Sequence, residues 1–233
     1  DSYNIIEAVN GKEGAEQAIE NVPDLIVSDL MMPKLDGNEM TAQLKTDERT
    51  SHIPIILLTA KASKESKLEG LETGADDFLT KPFDADELLI RIKNLIEQRK
   101  KLRKFLSQHV SDIDQTHLIR DVINIGMTKV DEKFLVKAKD SINERMADQD
   151  FSVEVFAREM AMSRVQLHRK LKNLTDNSAS DLIRNIRLMK AAELLKEGEL
   201  NVTQVSYEVG ISSPSYFAKA FKEQYGVAPS EYA

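Results

Sequence analysis

The chain has 233 residues, 41% of them hydrophobic, no cysteine, and a formal net charge of −7. This is enough apolar material for one or two packed cores. It excludes a disulfide framework and thiolate chemistry, and no apolar run approaches the ~18 residues of a membrane-crossing helix. The acidity is uneven: residues 1–100 hold 12 Lys and Arg against 20 Asp and Glu, and the remainder holds 20 against 19. From position 163 to 190 there are seven basic residues and two acidic ones, the local footprint expected of a surface that meets phosphates.

Up to about residue 98, strand-like and helix-like stretches alternate. Residues 3–8, 25–29, 54–59 and 77–80 are short β-rich runs. Helical stretches lie near 12–20, 37–45 and 63–73, and another begins near Asp84. Such alternation predicts a parallel α/β sheet covered on both faces, with functional groups gathered beyond the carboxyl ends of its strands. Three of those ends carry Asp29, Thr59 and Lys81, the last followed by Pro82. A carboxylate, a hydroxyl and an amine converging there form a phosphoryl site, the carboxylate acting as nucleophile and the other two holding phosphoryl oxygens. A lone Asp after a strand is more often a cap or turn residue; the trio favours the site, while Asp24, Asp36 and Asp84 read as turn or cap residues.

The segments PDLIVSDLMMPKLDG, LTAK and GADDFLTKPF resemble the receiver domain of bacterial response regulators. The resemblance implies an incomplete flavodoxin-like domain over residues 1–98, with Asp29 as phospho-acceptor and metal ligand, Thr59 as switch hydroxyl, Lys81 as phosphoryl-binding lysine and Phe78 at the aromatic switch position. It also implies a first strand ending in paired carboxylates, which hold Mg²⁺ with the phospho-acceptor, ahead of residue 3. The chain is therefore expected to be a fragment, and to be phosphorylated poorly as it stands.

The pattern from Asp84 to about Leu106 continues as one helix, with Leu88, Ile92, Leu95, Leu102 and Leu106 in nearly heptad spacing. That stripe admits a short dimerising coil, hence a homodimer, or a helix packed on its own domain. Residues 99–130 are assigned as linker, polar with scattered apolar residues beyond 106, and a helix is expected over 132–146.

The rest is organised around a helix over 178–196. Leu182, Ile186, Met189, Ala192 and Leu195 form its apolar stripe, with Arg184, Arg187 and Lys190 off it. On either side stands a copy of one pattern, SVEVFAREMAMSRVQLHRKLK (152–172) and VTQVSYEVGISSPSYFAKAFK (202–222), the second with one extra residue in its turn. Each copy reads as a short helix, a tight turn and a longer helix, with Ser163 and Ser212 expected as caps. Leu167, Leu171, Phe217 and Phe221 face inward. Val165, His168, Arg169 and Lys172, then Ser215, Ala218, Lys219 and Lys222, face outward. A plain helical bundle with solvated charges does not need the duplication.

Residues 131–233, with IRLMKAAELL and VSYEVGISSPSYFAKAFKEQYGVAPSEY, resemble the DNA-binding domain of AraC-type transcription regulators. The resemblance implies an all-α double helix-turn-helix set in successive major-groove segments of double-stranded DNA. Its base-contacting positions fall on Val165, His168, Arg169, Ser215 and Lys219, while Lys172 is expected to meet phosphate. The order of domains resembles the end of hybrid two-component regulators; a separate response regulator is the rival. Either implies a histidine kinase, in cis or in trans, and a cytoplasmic location, tethered to the membrane in the hybrid case. Two further rivals are a pseudo-receiver that only binds partners and a phosphatase using Asp29. The latter wants a second acid at position 31, where Met31 stands.

Overall fold

The computed structural model describes residues 3–60, 73–109 and 126–232. The helix expected over 63–73 and most of the segment from 107 to 130 lie outside the described residues. The described chain packs as two units: residues 3–60, 73–106 and 126–134 form one, and 135–232 most of the other.

In the first unit, β1 (Ile26–Asp29), β2 (Ile55–Thr59) and β3 (Asp77–Thr80) form a parallel sheet in the order β1-β2-β3. Asp29 stands opposite Leu58, and Thr59 opposite Thr80. Helices α1 (Gly11–Asn21) and α2 (Gly37–Thr46) pack on each other and on the sheet through Ala15, Ala18, Met40, Leu44, Ile55 and Leu57. Their starts are chemically marked. Asn10 caps α1 by accepting from the Glu13 amide, and Asp36 and Glu39 form a reciprocal capping box on α2. A long helix, α3 (Ala85–His109), follows β3 and buries Leu102 and Leu106.

Residues 3–8, expected as a strand, are not one. A strand needs a ladder of hydrogen bonds to a neighbour, and among the described residues β1, β2 and β3 pair only with each other. The apolar side chains of the segment stay in solvent, with Ile5 78% and Ile6 54% exposed.

Helix α4 (Lys129–Glu144) begins inside the first unit, three residues before the expected start. Met127 and Phe134 are buried there, and the Ser51 hydroxyl donates to Asp131 Oδ1 at 2.6 Å, both residues fully covered. Beside them the Lys45 ammonium donates to Ile53 O at 2.8 Å and pairs with Asp76 at 2.5 Å. Arg99 reaches Asp76 at 3.3 Å and Gly126 O at 3.1 Å. Burial pushes the Lys45 amine below its ordinary range, with Asp76 opposing.

The second unit is helical. Its duplication is visible in element lengths: α5 (Val153–Glu159) and α8 (Val202–Glu208) have seven residues each, and α6 (Arg164–Thr175) and α9 (Pro214–Tyr225) twelve each. Between the copies runs α7 (Ala179–Glu197), capped by Ser178 with Asp181. A short α10 (Pro229–Tyr232) brings Tyr232 edge-on to Phe221, ring centroids 5.1 Å apart. Ala157 and Ser206 are buried where the helices approach closely, and the Ser206 hydroxyl is satisfied by donating to Thr203 O at 2.9 Å. Leu167, Leu171, Phe217 and Phe221 are each 0% exposed, inward as expected.

Three details differ from expectation. Ser163 does cap α6, but the cap of α9 is Ser213, followed by Pro214 at the first helical position, because the extra turn residue shifts the start by one. Met189 is only half-buried, whereas Ile183, Leu188 and Ala191 are buried; α7 is enclosed on more than one side by its contacts with α6, α8 and α10. Arg187, expected off the apolar stripe, is buried. None of the described helices is long and apolar enough to cross a membrane.

At the turn of the first copy Ala161 holds a left-handed φ of 53°, where the second copy has Gly210 at 73°. A Cβ in that region strains against the following carbonyl, and Ala161 is exposed, so its methyl gains little burial. Ala161→Gly is expected to raise stability by roughly 0.5–1 kcal/mol in urea unfolding, the relief of strain exceeding the entropy that glycine adds to the unfolded chain. An unchanged or lowered midpoint would mean that the methyl contacts outweigh the strain.

Candidate functional site

The carboxyl ends of the three strands bring Asp29 and Lys81 together. Asp29 closes β1, and Lys81 follows β3, its backbone N–H donating to Thr59 O at 2.7 Å. Lys81 Nζ lies 2.6 Å from Asp29 Oδ2, and the Met31 amide donates to Asp29 Oδ1 at 3.3 Å. Both side chains keep about two-fifths of their surface in solvent, 39% for Asp29 and 40% for Lys81. Partial burial raises the Asp29 pKa, but the Lys81 bond, its positive charge and the amides of Met31 and Leu30 prevail, and the carboxyl titrates below its ordinary range. Asp29 is therefore an ionised, reachable carboxylate with an ammonium on one oxygen.

Thr59 ends β2 and is 2% exposed; it joins the pair through its backbone carbonyl. Phe78 lies in β3 opposite Leu57 and is half-buried against the sheet core. The peptide between Lys81 and Pro82 is cis. Asp36 is the cap of α2, and Asp84 accepts from the Asp86 amide at 2.9 Å, the cap and turn roles read for them. Met31, where a phosphatase would carry its second acid, is 80% exposed and apolar.

Mg²⁺ favours oxygen ligands in a near-octahedral shell. Among the described residues no three His, Cys, Asp or Glu side chains gather at one point. Asp29 brings one carboxylate to these strand ends, so the described residues do not by themselves fit a Mg²⁺ site.

The second candidate surface is formed by the exposed sides of α6 and α9. On α6, Val165 is 58% exposed, His168 and Lys172 are exposed, and Arg169 is half-buried. The Lys172 ammonium is engaged at the end of its own helix, donating to Asp176 O at 2.7 Å and pairing with Asp176 Oδ1 at 2.8 Å. On α9, Ser215 and Lys219 are exposed, and Lys219 is 4.0 Å from Glu223. Inward Leu and Phe residues at i and i+4 force this division, because the helices turn the intervening positions out. Two residues not singled out from the sequence also lie here: Tyr216, 51% exposed one turn before Lys219, and Arg164, which pairs with Glu154 at 2.8 Å. Both stand in the first turn of a second helix, a position that an exposed ring or guanidinium would have flagged.

The family model of the response regulator receiver domain matches residues 1–93, and that of a helix-turn-helix domain of the AraC type matches residues 156–233. The chain carries a receiver domain followed by an AraC-type helix-turn-helix domain. Histidine kinase P4 of Formosa agariphila is 40% identical over 230 residues, 99% of this chain and 16% of that protein. The DNA-binding dual master transcriptional regulator RpaA of Synechocystis is 38% identical over 133 residues, 57% of this chain and 51% of that protein. This chain thus spans about half or less of the length of these curated relatives. The C-terminal domain of AraT, a response regulator from Geobacillus stearothermophilus, is similar at 33% identity, covering 42% of this chain and 82% of that one with a TM-score of 0.40. The strand ends described above lie in the receiver domain, and α6 and α9 in the helix-turn-helix domain.

Proposed function

We propose that this chain is the signal-receiving and DNA-binding part of a two-component transcription regulator. The observation that carries the reading is the succession in one chain of the Asp29–Lys81 pair at the strand ends and a duplicated helix pair with two exposed second helices. In this reading Asp29 accepts a phosphoryl group from a histidine kinase. Lys81, already on the carboxylate, neutralises the added charge, and Thr59 and Phe78 respond to it. Alignment of nearly the whole chain with a small part of a protein named a histidine kinase supports a hybrid arrangement, with the kinase in the same polypeptide.

The DNA-binding half is tested by selecting duplexes from a random pool with the purified chain, then titrating variants at fixed salt. Arg169→Ala is expected to cost roughly 1–3 kcal/mol on the selected duplex and to relax base preference in one segment. Parent-like binding would show that the face is misassigned. Lys172→Ala, once its ammonium is taken to leave Asp176 for a phosphate, should weaken all DNA alike and lower the salt slope by about one unit; altered base preference would contradict that role.

The receiver half is tested by intact mass after incubation with Mg²⁺ and a small-molecule phosphodonor. With a single carboxylate among the described residues at the carboxyl ends of the strands, the chain is expected to remain unmodified. A stoichiometric adduct that Asp29→Asn removes would show that Asp29 accepts the group without further acids from this chain.

A further inference from the structure

Arg187 spends a buried guanidinium on two backbone carbonyls that belong to turns far apart in sequence. It projects from the middle of α7 and is 8% exposed, too covered to reach DNA. Its Nη1 donates to Gly210 O at 3.0 Å, and its Nη2 donates to Asp148 O at 2.6 Å. Gly210 opens the turn that delivers α9, and Asp148 lies in the turn that follows α4. The fit is close. A Cβ on Gly210 would stand 2.4 Å from Met146 O and 2.8 Å from Arg187 Nη2, and the residue holds a left-handed φ. The matching residue of the first copy, Ala161, already carries a Cβ and is exposed, so the two turns are supported differently.

Burying a guanidinium is costly, and a hydrophobic residue of similar length would fill the same space without that cost but would leave both carbonyls without this donor. What the guanidinium adds is direction: its planar fork fixes both carbonyls at once. Base readout is sensitive to just this, because a recognition helix rotated by a few degrees carries its side chains off the base edges while its packing survives.

We propose that Arg187 is a positioning residue for sequence readout by α9, holding the turn before that helix in register with the connector. The inference rests on the reading of α6 and α9 as recognition helices.

The test uses the full chain and a duplex that it selects, with the segment read by α6 identified as the one whose preference Arg169→Ala relaxes. Affinities are measured at fixed salt for that duplex and for versions scrambled in either segment, with Arg187→Met and Arg187→Lys checked by circular dichroism and thermal melting. The expected result is that Arg187→Met loses at least about tenfold of the discrimination in the α9 segment and keeps that in the α6 segment. Arg187→Lys should recover part of it, since an ammonium retains the charge without the fork. A folded Arg187→Met that discriminates like the parent in both segments, or loses both equally, overturns the proposal. Should Arg187→Met fail to fold, Arg187→Lys decides by the same rule: selective loss in the α9 segment supports the proposal, and parent-like or uniform behaviour overturns it. A parent chain with no base preference in either segment instead overturns the recognition-helix reading, and the role of Arg187 with it.

Discussion

Met189→Pro is expected to lower affinity for a two-segment duplex by at least about 100-fold, the usual scale of linked binding, while affinity for either segment alone falls by much less. Proline at 189 removes the N–H that closes on the carbonyl four residues earlier and clashes with that turn, at a cost of about 3 kcal/mol or more. The position divides α7 between its two loads. Leu182 and Ile186 are buried in the half that follows α6, whereas Leu188, Ala191, Ala192 and Leu195 belong to the core of the second copy. A 19-residue helix is roughly 28 Å long and sets the separation of the units at its ends. Reading two major-groove segments about one DNA turn, ~34 Å, apart requires that separation to be fixed. A kink therefore breaks simultaneous engagement before it breaks either unit. Equilibrium titrations on full and half duplexes check this, and equal factors on both would show units that bind independently.

The residues that were legible in the sequence are those whose role is local or repeated. The second-helix cores were found because Leu167 with Leu171 and Phe217 with Phe221 repeat one spacing at two places. That Asp29 and Lys81 would meet was legible because the first ends a β-rich run and the second follows one, and parallel strands carry such residues to one edge. What escaped depends on distant partners. Residues 3–8 have strand-like composition, but composition cannot supply a ladder neighbour, and the segment stays unpaired in the sheet and exposed. Arg187 was placed off the apolar stripe because periodicity counts a charge as a surface residue; its partners are carbonyls 23 and 39 residues away in sequence. Ser51 and Asp131, 80 residues apart, gave no sign of meeting in a buried hydrogen bond. The displacement of the α9 cap from Ser212 to Ser213 is a one-residue matter that turn geometry decides.

Gly37→Val is expected to destabilise the receiver unit by the upper part of the roughly 1–3 kcal/mol typical of overpacking, or more, and to separate Asp29 from Lys81. Gly37 is the first residue of α2 and donates its backbone N–H to Leu30 O at 2.9 Å, so the helix start is backed onto the end of β1. A Cβ there would lie 2.4 Å from Asp29 O, 3.0 Å from Leu30 Cα and 3.1 Å from a Leu57 methyl. The first two are backbone atoms and cannot turn aside as a side chain can. Either α2 lifts from the sheet, uncovering Met40 and Leu44, or the end of β1 moves and takes the phospho-acceptor candidate with it. Against a total stability of about 5–15 kcal/mol, that is a large share. Hydrogen exchange should show lost protection across 26–29 and 55–59 with protection across 182–195 retained, and the variant should still bind its selected duplex. Unchanged exchange in β1 and β2 would mean that the close approach of α2 to Asp29 is not what holds the site.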